Sequence, residues 1–155
     1  MELADILAER AVLFVAQPFR KDDVIDLLAD TAASLTGIDP KLARTALIER
    51  EQLGSTGLGN GIAIPHGKIP GLAGVTAVFL RLAEPVDFDA VDDQPVDLVM
   101  MLLAPTGAGA DHLKALSRVA RLLRTDSMAA ALRSTTDPAE LRALLVEPLE
   151  ATDAA

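Results

Sequence analysis

"PVDLVMMLLAP", residues 95–105, is the stretch on which the fold turns. From Leu98 to Ala104 it offers no polar residue on either alternation, and prolines bound it at both ends. A strand that is apolar on both faces must be covered on both, as a central strand of an α/β protein is. The run is also far shorter than the roughly 20 residues needed to span a bilayer. Downstream, the small-residue loop "TGAGA" (106–110) leads into a helical pattern over 111–124, with Leu113, Leu116, Val119, Ala120 and Leu123 inward. "SMAAALRS" (127–134) and "DPAELRALLVE" (137–147) add two short helices, the second with Asp137 as N-cap and Pro138 in its first position. Upstream, "VTAVFLRL" (75–82) and "IAI" (62–64) predict strands, and "AVLFVA" (11–16) predicts a buried one. A helix over 21–36 carries Val24, Leu27, Leu28, Thr31 and Leu35, with Gly37 as its stop. Asp39 and Pro40 open another over 40–53, with Leu42, Ala46, Leu47 and Leu53 on one stripe. Strands alternating with helices predict an α/β fold with a partly parallel sheet. One domain over residues 1–150 is expected, with 151–155 as a frayed tail.

Composition removes several classes of function. A net charge of −9, four Phe and neither Trp nor Tyr leave no basic groove and few stacking platforms, so nucleic acid is not an expected partner. Without cysteine there are no disulfides, thiolate chemistry or sulfur-ligated metals. The two histidines form no HExxH or similar spacing, and neither a metal nor a cofactor is expected. The N-terminus has acidic residues before a short apolar patch and no basic n-region. A cytoplasmic protein that is not membrane-embedded is expected.

Three residues stand out. Arg50 shares the stripe of Leu42 and Ala46; an arginine there ordinarily snorkels to water, and otherwise its planar fork suits a phosphate or carboxylate. His112 begins the 111–124 helix at the edge of its apolar face, where a boundary histidine is common and where free N–H groups favour an anion. His66 lies between Pro65, which fixes φ, and Gly67, which leaves space for another chain. A neutral imidazole can act as base, metal ligand or nucleophile. No GxSxG is present, and the glycines at 54, 57, 59 and 61 match neither a Walker loop nor GxGxxG. A histidine with an arginine and a second histidine nearby suits transient attachment of a phosphoryl group to His66 itself. A metal-dependent hydrolase using both histidines and a carboxylate is a rival reading, as is a binding module without phosphotransfer. The row Arg118, Arg121 and Arg124 is more simply a solvated helix face than a docking site for an acidic partner.

"REQLGSTGLGNGIAIPHGK" (50–68) closely resembles the active-site segment of the type 2 IIA domains, the fructose/mannitol class, of the phosphoenolpyruvate-dependent phosphotransferase system. The likeness continues through "FDAVDDQPVDLVMMLLAPTGAGADHLKALSRVARLLR" (88–124), which is similar to the nitrogen-regulatory subgroup. The resemblance implies a mixed five-stranded sheet flanked by helices. It implies that His66 accepts a phosphoryl group at Nε2 from a histidine phosphocarrier protein, with His112 and Arg50 on the phosphoryl oxygens. Pro65, Gly67, Asn60 and Gly61 would support the site, the glycines by clearing the approach to His66. Asp111 would face away as an N-cap. The protein would then regulate nitrogen-, carbon- or potassium-related targets by its phosphorylation state; the alternative is a sugar-transport component passing phosphate to a IIB domain.

Overall fold

Residues 2–147 are described by the computed structural model; the tail expected at 151–155 lies outside them. The chain runs through α1 (Leu3–Ile6), a 3-10 turn (Glu9–Ala11), β1 (Val12–Val15), α2 (Lys21–Thr36) and α3 (Pro40–Gln52). Three short strands follow, β2 (Gly57–Gly59), β3 (Ile62–Ala63) and β4 (His66–Ile69), then the long pair β5 (Thr76–Val86) and β6 (Val96–Pro105). Helices α4 (Ala110–Arg124), α5 (Asp126–Arg133) and α6 (Pro138–Val146) complete the fold. The stop and start signals act as expected at three helices. Gly37 ends α2 in the left-handed conformation, while the side chains of Asp39 and Asp137 accept from the N–H groups of Lys41 and Ala139.

The sheet is mixed, with order β1-β5-β6-β3-β2 and β4 also paired to β6. β5 runs antiparallel to β6, whereas β1 on β5, and both β3 and β4 on β6, are parallel. Helices α2 and α3 pack together and against β5 and β4; α4, α5 and α6 form a second group against β6 and β1. Every residue from Leu98 to Ala104 is buried between them, as a strand apolar on both faces requires.

The sheet has six strands where five were expected, and one proline accounts for the difference. Ile62 lies opposite Leu98 and His66 opposite Leu102, so β3 and β4 hold the same register on β6 and form one line. The line accepts from β6 just before each piece, Leu98 N–H to the Gly61 carbonyl and Leu102 N–H to the Pro65 carbonyl, each at 3.0 Å. A continuous ladder would also draw an N–H donor from position 65, which proline does not have. Counting the interrupted line once restores five.

The apolar stripes agree in part with those read off the sequence: Val24, Leu28, Leu47, Val119 and Leu123 are buried as expected, and other positions differ. In α2 the buried positions are Val24, Ile25, Leu28, Ala29 and Ala32; in α3 they are Ala43 and Leu47, while Leu42 and Leu53 are exposed. In α4 the buried face is His112, Ala115, Val119 and Leu123, and Leu113 points to solvent. The core also takes in Ala29, Ala32, Ala43 and Ala115, which a stripe marked mainly by leucine does not pick out.

Glycine usage also has a specific cause at the β2–β3 hairpin. Asn60 (φ 58°) and Gly61 (φ 79°) form a two-residue turn between Gly59 and Ile62, the arrangement for which Asn-Gly is best suited. Arg133 secures it, donating to the Asn60 carbonyl at 2.8 Å and to both carboxylate oxygens of Asp97 at 2.8 to 3.1 Å. A Cβ on Gly61 would meet the Arg133 guanidinium and come within 2.9 Å of Asp97. Gly71 is also left-handed (φ 91°), but nothing lies near its missing Cβ. Gly71→Ala should therefore cost about 1 kcal/mol of backbone strain. Gly61→Ala should cost about 2 kcal/mol or more, because it also displaces the arginine from its carboxylate. Thermal unfolding of the two variants side by side checks the order.

Candidate functional site

His66 is the first residue of β4, directly after the break at Pro65. Its Nδ1 lies 2.9 Å from the carbonyl of Ile64. A carbonyl can only accept, so Nδ1 carries the proton and Nε2 is left with its lone pair. Arg50 confirms this assignment from the other side of the ring, its Nε–H donating to Nε2 at 3.2 Å. The same guanidinium donates through Nη1 to the Gly54 carbonyl at 2.8 Å, which fixes its plane.

Arg50 arrives there because α3 lies close against β4. A Cβ at Gly67 would be 3.1 Å from the Cβ of Ala46, one helical turn before Arg50. The space expected at Gly67 for an approaching partner is thus used by the protein's own helix. Asn60 and Gly61 are not brought to His66 either; they form the hairpin turn described above. Of the glycines in this segment, Gly67 lines the cleft and Gly54 lends its carbonyl to Arg50.

His112 comes from the first turn of α4, its ring centroid 5.6 Å from that of His66 and tilted by 54°. It belongs to the buried face of the helix rather than its edge, and only 5% of it is exposed. Its Nδ1 is buried with no hydrogen-bond partner among the described residues, so Nε2 is the nitrogen through which it can act. Gly109 (φ 55°) lets the chain turn into α4 one residue earlier than expected. Gly109 is therefore the N-cap, and Asp111 stands exposed in the first turn instead of capping it. The cleft is lined by His66, His112 and Gly67 together with Ala46, Arg50 and Leu53. Leu53 is 84% exposed at the rim.

Burial lowers the pKa of His66 below its ordinary value and outweighs the bond to Ile64, which raises it; Arg50 lowers it further and Glu51 opposes. Burial also lowers that of His112, with smaller contributions from His66 and Lys68. Both shifts favour the neutral ring at pH 7, in which His66 Nε2 keeps a lone pair for bond formation.

Two features escaped the sequence reading. Glu51, beside Arg50 in the chain, has a nearly enclosed side chain bound to Lys21 and Thr56. Its adjacency to Arg50 was visible, but its partner Lys21 lies thirty residues away with no local signal. Lys68, two residues along β4 and so on the same face as His66, also lines the cleft. A wider groove on α4, α5 and α6, lined by Leu122, Met128 and Leu144 among others, contains neither histidine. Arg118 is bonded to Glu2 at 2.8 Å. Among the described residues no three His, Asp or Glu side chains converge as metal ligands, and no helix is long and apolar enough to cross a membrane.

The family model for "Phosphoenolpyruvate-dependent sugar phosphotransferase system, EIIA 2" matches residues 5–147. The chain is 46% identical over 148 residues to a nitrogen regulatory protein of Bradyrhizobium diazoefficiens, covering 96% of this chain and 97% of that one. It is 37% identical over 134 residues to a fructose-specific EIIA component of Haloferax volcanii, covering 86% and 87%. The crystal structure of nitrogen regulatory protein IIA-Ntr from Neisseria meningitidis superposes with a TM-score of 0.84 at 34% identity, covering 91% and 97%.

The depressed histidines fix a sign for pH dependence. The unfolded chain takes up protons near pH 6.5, while the folded rings resist until lower pH, so stability is lost as pH falls below about 6.5. Thermal unfolding between pH 7.5 and 5 should show this loss, and it should shrink in the double variant His66→Gln, His112→Gln. In NMR titration both rings should have pKa values below 6.5, and Arg50→Ala should move that of His66 upward.

Proposed function

We propose that this chain, which belongs to the EIIA 2 family of the phosphoenolpyruvate-dependent sugar phosphotransferase system, accepts a phosphoryl group on Nε2 of His66 from a histidine phosphocarrier protein and regulates partners by its phosphorylation state. The observation that carries the reading is the tautomer. With Nδ1–H held by the Ile64 carbonyl, Nε2 keeps the lone pair, which accepts from Arg50 Nε–H in a cleft that both residues line.

The transfer breaks the phosphorus–nitrogen bond of the carrier's phosphohistidine and forms one to His66 Nε2. The departing imidazole keeps the electron pair, and His66 retains its proton at Nδ1. The incoming phosphoryl group competes for the Arg50 Nε–H that rests on the lone pair. Arg50 then donates to a phosphoryl oxygen while Nη1 stays on Gly54. Nε2–H of His112 offers a second, uncharged donor, and the free N–H groups at the start of α4 add their dipoles. The exposed side chain of Leu53 at the rim suits contact with a protein donor.

Phosphorylation places about −1.5 to −2 charges in a cleft that is otherwise open and partly apolar, which changes the surface a partner meets. The 46% identity to a nitrogen regulatory protein supports a regulatory role, and nitrogen-, carbon- or potassium-related targets are the proposed ones. A transport role, passing the phosphoryl group to a sugar-specific IIB domain, is supported by the likeness to a fructose-specific EIIA component. Rapid discharge onto a fructose- or mannitol-type IIB protein would favour transport.

Phosphoenolpyruvate, enzyme I and phosphocarrier should together label the protein in an acid-labile, base-stable form. A label that persists in His66→Ala would remove His66 as acceptor. Arg50→Ala should slow labelling by about 10²- to 10³-fold, the loss typical of one fixed donor to a developing oxyanion. Rapid-quench time courses measure it.

A further inference from the structure

The acidic residue that follows Arg50 turns away from the cleft. One step along a helix rotates a side chain by about 100°, so Arg50 reaches the cleft while Glu51 enters the interior. The Glu51 side chain is 7% exposed. Its Oε1 accepts from Lys21 Nζ at 3.0 Å and from the Thr56 backbone N–H at 3.2 Å, and its Oε2 accepts from the Thr56 hydroxyl. Lys21, the first residue of α2, also donates to the Phe88 carbonyl at 3.3 Å and sits 4.6 Å over the Phe88 ring. The carboxylate thus joins two helices, the loop after α3 and the turn that follows β5.

What the clamped loop does next is specific to the cleft. The Thr56 carbonyl accepts from Ile64 N–H at 3.0 Å, and the Ile64 carbonyl accepts from His66 Nδ1–H at 2.9 Å. Two residues before Thr56, the Gly54 carbonyl accepts from Arg50 Nη1 at 2.8 Å. One carbonyl sets the tautomer and ring plane of His66, the other sets the plane of Arg50, and both are tied to the segment that Glu51 closes. We infer that Glu51, with Thr56, is a positioning residue that holds the His66 tautomer and the Arg50 fork together; the inference rests on His66 being the phosphoryl acceptor.

Packing alone gives a poor account of this carboxylate. Apolar residues of similar volume at both 21 and 51 would fill the space without the desolvation that an enclosed ion pair costs, and replacing a whole pair in this way is often neutral or stabilising, whereas removing Glu51 alone leaves Lys21 with Asp89 at 3.6 Å as its remaining carboxylate. The partners Glu51 selects, a backbone N–H and a hydroxyl on one residue, fix a loop conformation rather than fill a void. Its charge also raises the His66 pKa, opposing burial and Arg50.

The test uses the full chain in four forms: wild type, Glu51→Met, Glu51→Gln and Thr56→Val. Nitrogen-15 NMR of the imidazoles reports the tautomer, rapid-quench labelling by the phosphocarrier reports transfer, and thermal unfolding reports the fold. In wild type, His66 is expected almost wholly as the Nδ1–H form. Glu51→Met and Thr56→Val should shift it to a mixture of tautomers. They should lower the maximal transfer rate about 10- to 100-fold, since displacements of about 1 Å carry such costs. The carrier concentration giving half-maximal rate should stay within twofold. Glu51→Gln should recover most of the tautomer and the rate, because its oxygen still accepts from Thr56 N–H and its amide can donate to the hydroxyl. If Glu51→Met unfolds, Thr56→Val, which removes a single hydroxyl, decides the matter. An unchanged tautomer and rate in whichever variant is folded overturns the inference. Absence of labelling in wild type overturns the function proposed for His66, while the tautomer measurement, which needs no phosphocarrier, still decides the role of Glu51.

Discussion

Strand β6 is the element to which the rest of the protein is referred. It has partners on both edges, with β5 on one and the broken line of β3 and β4 on the other, and helices over both apolar faces. A strand so enclosed has one register in which every group is satisfied, because a slip by one residue would exchange its two faces and unpair both ladders. That register puts His66 opposite Leu102. It also fixes where the chain leaves the sheet at Pro105, and five residues later α4 begins, so His112 arrives beside His66. The two imidazoles, 46 residues apart in the chain, meet because one is paired to β6 and the other follows from its end.

Around this frame the cleft is built by close approach rather than by flexibility. Ala46 against Gly67 brings α3 close enough for the Arg50 fork to reach Nε2. Burial then does the electrostatic work, favouring the neutral form of both rings where a loop histidine in water would be partly charged at mildly acid pH. A neutral ring has a lone pair to share, and a fixed guanidinium a few ångströms away has donors that can follow a new anion.

Much of the architecture could be read from the chain, for identifiable reasons. The helices with Asp-Pro starts or a glycine stop were legible because capping chemistry is local. The central strand was legible because double-sided burial leaves an uninterrupted apolar run. Three short strands were harder. β2 contains two glycines, β3 has only two residues, and β4 begins with histidine and glycine, so none carries a periodic pattern; β3 and β4 pair with the edge of β6, and β2 pairs with β3. His66, Arg50 and His112 could be singled out as residue types in suggestive places. The geometry that joins them could not, since it depends on Ala46 against Gly67, the Ile64 carbonyl and the Glu51–Thr56 contact. The glycines show the limit most clearly. Read as a cleared path to the histidine, they instead serve an Asn-Gly turn under Arg133 and a helix pressed against a strand.

The broken line beside β6 has a further consequence for how the molecule behaves among its own copies. The strands with an unpaired edge are β1, β2 and β4, which have 4, 3 and 4 residues, whereas the long strands β5 and β6, of 11 and 10 residues, lie inside the sheet. Short edges present few consecutive free N–H and C=O groups, too few to template a neighbouring chain. By dividing the β3–β4 line into two pieces, Pro65 keeps that line from offering a continuous seam for aggregation.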